Sequence, residues 1–198
     1  KFATDMRLLA NLKELEEPFE KNQIGSSAMP YKRNPMRCER ICSLARFVIS
    51  LGQNGDYTSA LQWLERSLDD SANRRLAMSE AFLAIDAILT LYCNVTENIV
   101  VYPKVIEKRL RAELPFMATE NILMQAVKQG GDRQELHEEL RLHSIQASKK
   151  IKEEGLENDL LERIANDPAF PLSEKDLEGC MNAKQYTGLA EEQVVSFL

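Results

Sequence analysis

The chain has 198 residues, of which 31 are acidic and 25 basic, giving a formal charge of -6, with 44% hydrophobic and 28% charged residues. This is the composition of a globular protein of one large domain or two small ones. The acidic balance argues against a general nucleic-acid binder, which needs a basic surface, and leaves room for an anionic small molecule, since a binding site needs only a few local cations.

The first element is a helix. Phe2, Met6, Leu9, Leu12 and Leu15 recur at three- and four-residue steps along one face, and Pro18 ends the run near Glu16 or Glu17. Lys1 opens directly into this pattern without a methionine or a cap, so the chain is read as a fragment lacking an N-terminal portion. Residues 18–34 form a loop. A second helix is expected from Pro35, with Asn34 as its cap, through Cys38, Ile41, Leu44 and Val48 to about Leu51. Gly52 and the Gln53–Asp56 cluster stop it. A short helix from Tyr57 to about Arg66 follows.

Asp69 or Asp70 then caps a long helix over about residues 71–100. From Leu76 to Val95 that helix is apolar nearly all round, so it must be covered on every side. Partner helices from other subunits, or from a segment outside this chain, are expected to do so. Glu80 and Asp86 make the run a poor membrane span, and no membrane partner is expected.

The pattern changes at Val101–Tyr102, where the domain boundary is placed, dividing the chain into 1–101 and 102–198. Shorter helices are expected over about 103–113, 117–129, 132–154, 157–166, 173–181 and 187–198, separated by Pro115, Gly130-Gly131, Gly155, Pro168, Pro171 and Gly188. With no strand-like alternation, the fold class is all-α: a long-helix bundle segment followed by a smaller helical C-terminal domain. Cys38, Cys42, Cys93 and Cys180 have neither a disulfide-framework nor a zinc-site spacing. They read as reduced thiols of a cytoplasmic protein.

The chemistry concentrates in Gly25-Ser26-Ser27-Ala28-Met29-Pro30-Tyr31-Lys32-Arg33-Asn34-Pro35. This stretch combines hydroxyls, an ammonium, a guanidinium and an amide just before a helix start, where an anion is readily held. It resembles the signature loop of the fumarase/aspartase superfamily, Gly-Ser-Ser-x-Met-Pro-x-Lys-x-Asn, at every fixed position. The resemblance implies that Ser26 removes a proton from the carbon beside a carboxylate. Lys32 and Asn34 would hold the carboxylates of a succinyl group, and Lys32 would steady the charge that develops there.

A second constellation runs from Trp63 to Arg75. Ser71 and Arg75 are four apart and share a helix face, and arginine forks suit phosphate oxygens. This stretch is similar to the Trp-x-Glu-Arg…Ser-x-x-x-Arg segment of the superfamily branch that acts on a succinylated purine nucleotide. By that resemblance Arg66, Ser71 and Arg75 bind the nucleotide phosphate and Arg40 contacts substrate, while Arg37 is read as a solvated surface charge.

The implied reaction is β-elimination of fumarate from adenylosuccinate, and from the succinylated aminoimidazole carboxamide ribotide of purine biosynthesis. The resemblance also implies a homotetramer with active sites shared between subunits, and neither a metal nor an organic cofactor. The general acid of that branch is a histidine N-terminal to this chain. His137 and His143 are read as surface residues. Alternatives are another fumarate-releasing lyase, such as one acting on argininosuccinate, or a helical scaffold without chemistry. An intact Ser26, Lys32 and Asn34 weigh against the scaffold.

Overall fold

The computed structural model describes residues 1–20, 29, 31–63 and 68–198. The elements in order are α1 (Phe2–Asn11), β1 (Leu15–Glu16), α2 (Met36–Leu61), α3 (Asp69–Glu97), β2 (Val100–Val101), α4 (Pro103–Met117), α5 (Thr119–Lys128), α6 (Arg133–Glu154), α7 (Leu160–Ala165), α8 (Glu174–Cys180), a 3₁₀ turn (Ala183–Tyr186) and α9 (Ala190–Phe197). The fold is all-α apart from the antiparallel pairing of β1 with β2, Leu15 opposite Val101 and Glu16 opposite Val100. The chain divides into two compact units, Lys1–Val105 and Ile106–Leu198.

In the first unit α1 packs on α2, and α2 runs along α3. Ala3, Met6, Cys38, Ile41 and Val95 form the buried core, with Phe2, Leu15, Ile88 and Leu91 against it. The helix expected to stop at Gly52 instead continues to Leu61. A glycine inside a helix costs only about 1 kcal/mol relative to alanine, and packing along α3 outweighs that. Asn73 on α3 also donates Nδ2–H to Asn54 Oδ1 on α2 at 2.8 Å, beside the two glycines.

Helix starts differ from the sequence expectation. Pro35 occupies the N-cap of α2 without any side-chain cap, so Asn34 is not the capping amide. Leu68, not Asp69 or Asp70, is the N-cap of α3. The two aspartates lie in its first turn, where negative charge favours the helix dipole. The first helix ends at Asn11, earlier than the periodicity suggested, because the chain turns at Lys13 into β1.

Residues of α3 such as Leu76, Phe82, Leu83 and Leu89 remain exposed within the chain. By length and composition α3 matches a membrane span, with mean hydropathy 1.6 over an 18-residue window.

The second unit is built around Ile122, Leu136, Leu160 and Ile164, with α5 packing on α6 and α8, and α7 on α6 and α8. Its helices α6 and α8 begin and end close to the breaks the sequence suggested. Asp132 caps α6 through the Gln134 and Glu135 N–H groups. Gly155 ends α6 in the left-handed region at φ 69°, where glycine carries no Cβ penalty. Ser173 and Asp176 form a reciprocal capping box on α8. The break expected at Pro115 does not occur there: α4 extends to Met117 with the proline in its last turn.

Candidate active site

Around the Lys32 segment the geometry starts from the end of α1. Glu14 N–H bonds to Leu9 C=O at 3.0 Å and Lys13 N–H to Ala10 C=O at 3.0 Å. This is a Schellman closure, with the left-handed position, usually a glycine, held by Lys13 at φ 61°. The reversal delivers residues 14–16 to β2, where Tyr102 N–H also bonds to Glu14 C=O at 2.9 Å.

Successive side chains on an extended segment point to opposite sides, and Glu16 and Glu17 have separate partners. Glu16 Oε2 accepts from Arg33 Nη1 at 3.0 Å and from Tyr102 Oη at 2.8 Å. The hydrogen bond to Glu16, followed by burial, holds the Tyr102 phenol above its ordinary range. The Arg33 guanidinium also lies 5.0 Å over the Phe19 ring.

Glu17 is only 4% exposed. Its Oε1 accepts from the Arg37 N–H at 3.0 Å and its Oε2 from the Cys38 N–H at 3.1 Å. The N–H groups that a capping side chain at Pro35 would otherwise satisfy are therefore bonded to a carboxylate from the preceding segment. Burial, then the neighbouring Glu17 carboxylate, pushes the Cys38 thiol up to about 12. Arg37 is not a solvated surface charge as the sequence suggested. It is half-buried, with Nη1 on the Pro18 carbonyl and Nη2 on Glu20 Oε1 at 3.0 Å.

These contacts border a cleft of about 920 Å³ that contains both Lys32 and Asn34. Arg7, Lys13, Arg33, Glu16 and Glu39 share its wall. Four cations therefore face it against two carboxylates, one of which is engaged by Arg33. Among the described residues none of Arg7, Lys13 and Lys32 is held in an ion pair. No histidine is among the lining residues. The arrangement suits a ligand with more than one negative charge.

The other sequence candidates are placed as follows. Ser26 and Arg66 lie outside the described residues. Arg40 is exposed on α2, Ser71 is half-buried in the first turn of α3, and Arg75 is exposed one turn further on. None of the three lines the Lys32 cleft. The Ser71 N–H bonds to Leu68 C=O at 3.1 Å, so its hydroxyl, not its amide, is the group left to meet a ligand. Glu16, Glu17, Arg7 and Lys13 were missed because nothing in their local pattern separates them from helix-surface charges.

In the second unit His143 is half-buried instead of a surface residue. Its Nε2 lies 2.7 Å from Asp167 Oδ2, and its Nδ1 is buried with no hydrogen-bond partner among the described residues. Burial works to raise the Asp167 carboxyl, but hydrogen bonds from His143 and the Ala169 N–H outweigh it, and the net shift is downward. Glu139 brings a third ligand-type atom within 4.8 Å of these two. The hydrogen bond already satisfies Asp167 and His143 Nε2 without an ion. His137 is exposed, as expected.

Comparison with known proteins bears on the whole chain. Residues 115–197 match the family described as adenylosuccinate lyase C-terminus, and residues 1–50 match the family described as lyase. The adenylosuccinate lyase of Schizosaccharomyces pombe is 57% identical over 198 residues, that of Saccharomyces cerevisiae 54%, and that of Schistosoma mansoni 51% over 199. Each alignment covers 100% of this chain and 41%, 41% and 42% of the relative, so the chain spans well under half the length of these relatives.

Among solved structures, the 3-carboxy-cis,cis-muconate lactonizing enzyme of Pseudomonas putida superposes with a TM-score of 0.79 at 22% identity, over 98% of this chain and 43% of that one. A fumarate lyase of Mesorhizobium sp. BNC1 gives 0.73 at 22% identity, over 96% and 40%. At that identity the likeness establishes the fold alone.

Proposed function

The chain belongs to the adenylosuccinate lyase family, and from that premise we propose that it supplies part of a site that eliminates fumarate from adenylosuccinate, leaving AMP. The same site releases fumarate from the succinylated aminoimidazole carboxamide ribotide. Ser26 takes the proton from the succinyl carbon beside a carboxylate. The electron pair left on that carbon becomes the new C=C bond as the C–N bond to the purine amine breaks. The nitrogen leaves with the bonding pair and is protonated by an acid from another segment.

Lys32 and Asn34 hold the succinyl carboxylates, and Lys32 steadies the charge that grows on one of them as the C–H bond opens. Arg40, Arg66, Ser71 and Arg75 bind the nucleotide and its phosphate. No metal or organic cofactor enters this scheme.

The observation that carries the reading is the shared cleft of Lys32 and Asn34, whose wall adds the cations Arg7 and Lys13. A dicarboxylate needs such a surface. Arg40, Ser71 and Arg75 stand outside that cleft, which supports a site assembled from several subunits, with the phosphate-binding group of one copy facing the Lys32 cleft of another. The exposed apolar residues of α3 support the same assembly, a homotetramer with a shared helical core; its location in the cytoplasm, with neither nucleic acid nor membrane as partner, is part of this proposal and rests on the family resemblance, not on α3. Burying a leucine or phenylalanine contributes about 1.5–3 kcal/mol, so several such residues on one helix favour association strongly.

The test is turnover by the protein at its relatives' full length. Adenylosuccinate is cleaved and argininosuccinate is not. Cleavage of argininosuccinate alone would overturn the assignment.

A further inference from the structure

Two adjacent carboxylates hold the two ends of the segment that carries Asn34. Glu16 binds Arg33, directly after Lys32, and Glu17 binds the amides of Arg37 and Cys38, in the first turn of α2. Asn34 lies between these anchor points. Both carboxylates come from one extended segment, registered against Val100–Val101 by main-chain pairing and against Tyr102 by the Glu16 hydrogen bond. Lys32 is exposed and has little packing of its own to fix it.

The Glu17 carboxylate also changes the electrostatics of the loop exit. A helix N-terminus with unmet N–H groups attracts an anion. Here a buried protein carboxylate already occupies two of those groups, so α2 offers its first turn less readily to a substrate carboxylate. Binding of the succinyl group is left to the side chains of Lys32 and Asn34, and their placement depends on the clamp.

We propose that Glu17 is a positioning residue for fumarate elimination, acting through the start of α2 to place Asn34 and Lys32 against the succinyl carboxylates. The proposal rests on the functional reading above. A misplacement of about 1 Å in a reacting group can cost on the order of 100-fold in rate, so a carboxylate that touches no substrate can still control turnover.

The test uses Glu17→Gln in the protein at its relatives' full length. Glutamine keeps the volume and one acceptor oxygen but turns an NH₂ toward a backbone N–H, which breaks one of the two bonds. Amide exchange in the segment of Arg37 and Cys38 rises at least tenfold, and kcat/KM for adenylosuccinate falls at least tenfold. Asn34→Ala then costs less in the Glu17→Gln background than alone, because both changes act on one unit.

Additive losses from the two substitutions would overturn the proposal, as would exchange at Arg37 and Cys38 equal to that of the unsubstituted protein. If Glu17→Gln does not fold, Glu17→Asp keeps the charge with a reach one methylene shorter, and the same signs are expected with smaller size. If the unsubstituted protein does not cleave adenylosuccinate, the functional reading fails while the exchange measurement still decides whether Glu17 holds α2.

Discussion

Tyr102 donates its phenolic O–H to Glu16 at 2.8 Å, joining residues 86 positions apart at the mouth of the Lys32 cleft. Replacing Tyr102 with phenylalanine removes the donor and leaves Glu16 with Arg33. The expected loss is about 1 kcal/mol of unfolding free energy, as for a single hydrogen bond. Because the phenol titrates higher in the folded protein than its ordinary value of 10.0, its contribution is whole below that pH and fades as pH rises through the folded pKa. Urea unfolding between pH 8 and pH 11 should therefore show the two proteins converging at the alkaline end.

The continuity of α2 gives a prediction of opposite sign. Gly52 lies inside the helix with open space where a Cβ would sit. Gly52→Ala should stabilise the protein by about 1 kcal/mol, the helix-propensity difference between the two residues. A helix that actually stopped at Gly52 would yield no gain, and thermal unfolding separates the cases.

What the sequence made legible is the part governed by short-range pattern. Apolar spacing exposed α1 and α3, and the Gly130-Gly131, Gly155 and Pro171 breaks bounded α6 and the start of α8. The motif residues Lys32 and Asn34 lie in one cleft. The rest depends on partners far apart in sequence. Glu16 and Glu17 look like the charged end of a helix until Arg33, Tyr102 and the α2 amides are brought to them. His143 looks exposed until Asp167, 24 residues on, folds against it. Arg37 looks solvated until Pro18 and Glu20 return over it. The stop expected at Gly52 failed because a local penalty of about 1 kcal/mol is smaller than the packing of two long helices. Lys13 in the left-handed region follows no local preference, since glycine is the usual occupant.

Acid titration probes the second unit. Asp159 is held down to about 2, chiefly by the hydrogen bond from Arg163, with burial opposing and Lys150 assisting. A carboxyl lowered in the folded state contributes above its ordinary value of 3.8 and loses that contribution as pH falls through about 2. Asp159→Asn should thus be less stable than the parent at pH 6, with the gap closing below pH 4. A gap independent of pH would mean that the carboxylate charge is not what matters.

Thiol reactivity reports on the clamp from its buried side. Cys38 is fully buried and its thiol lies at about 12, so it has almost no thiolate near neutral pH. Iodoacetamide at pH 8, read by mass spectrometry, should modify Cys38 only on unfolding. Early labelling of Cys38 in the native protein would show that Glu17 and the α1–α2 packing do not seal that position.

The most direct measurement is kcat for adenylosuccinate in Ser26→Ala, made in the protein at its relatives' full length with assembly and nucleotide binding followed alongside. If Ser26 is the base that Lys32 and Asn34 serve, kcat falls by roughly 10²–10⁴-fold, the contribution general-base catalysis makes, while the oligomer and AMP binding persist. Turnover within tenfold of the parent would contradict the account, because the proton would then leave the substrate by another route.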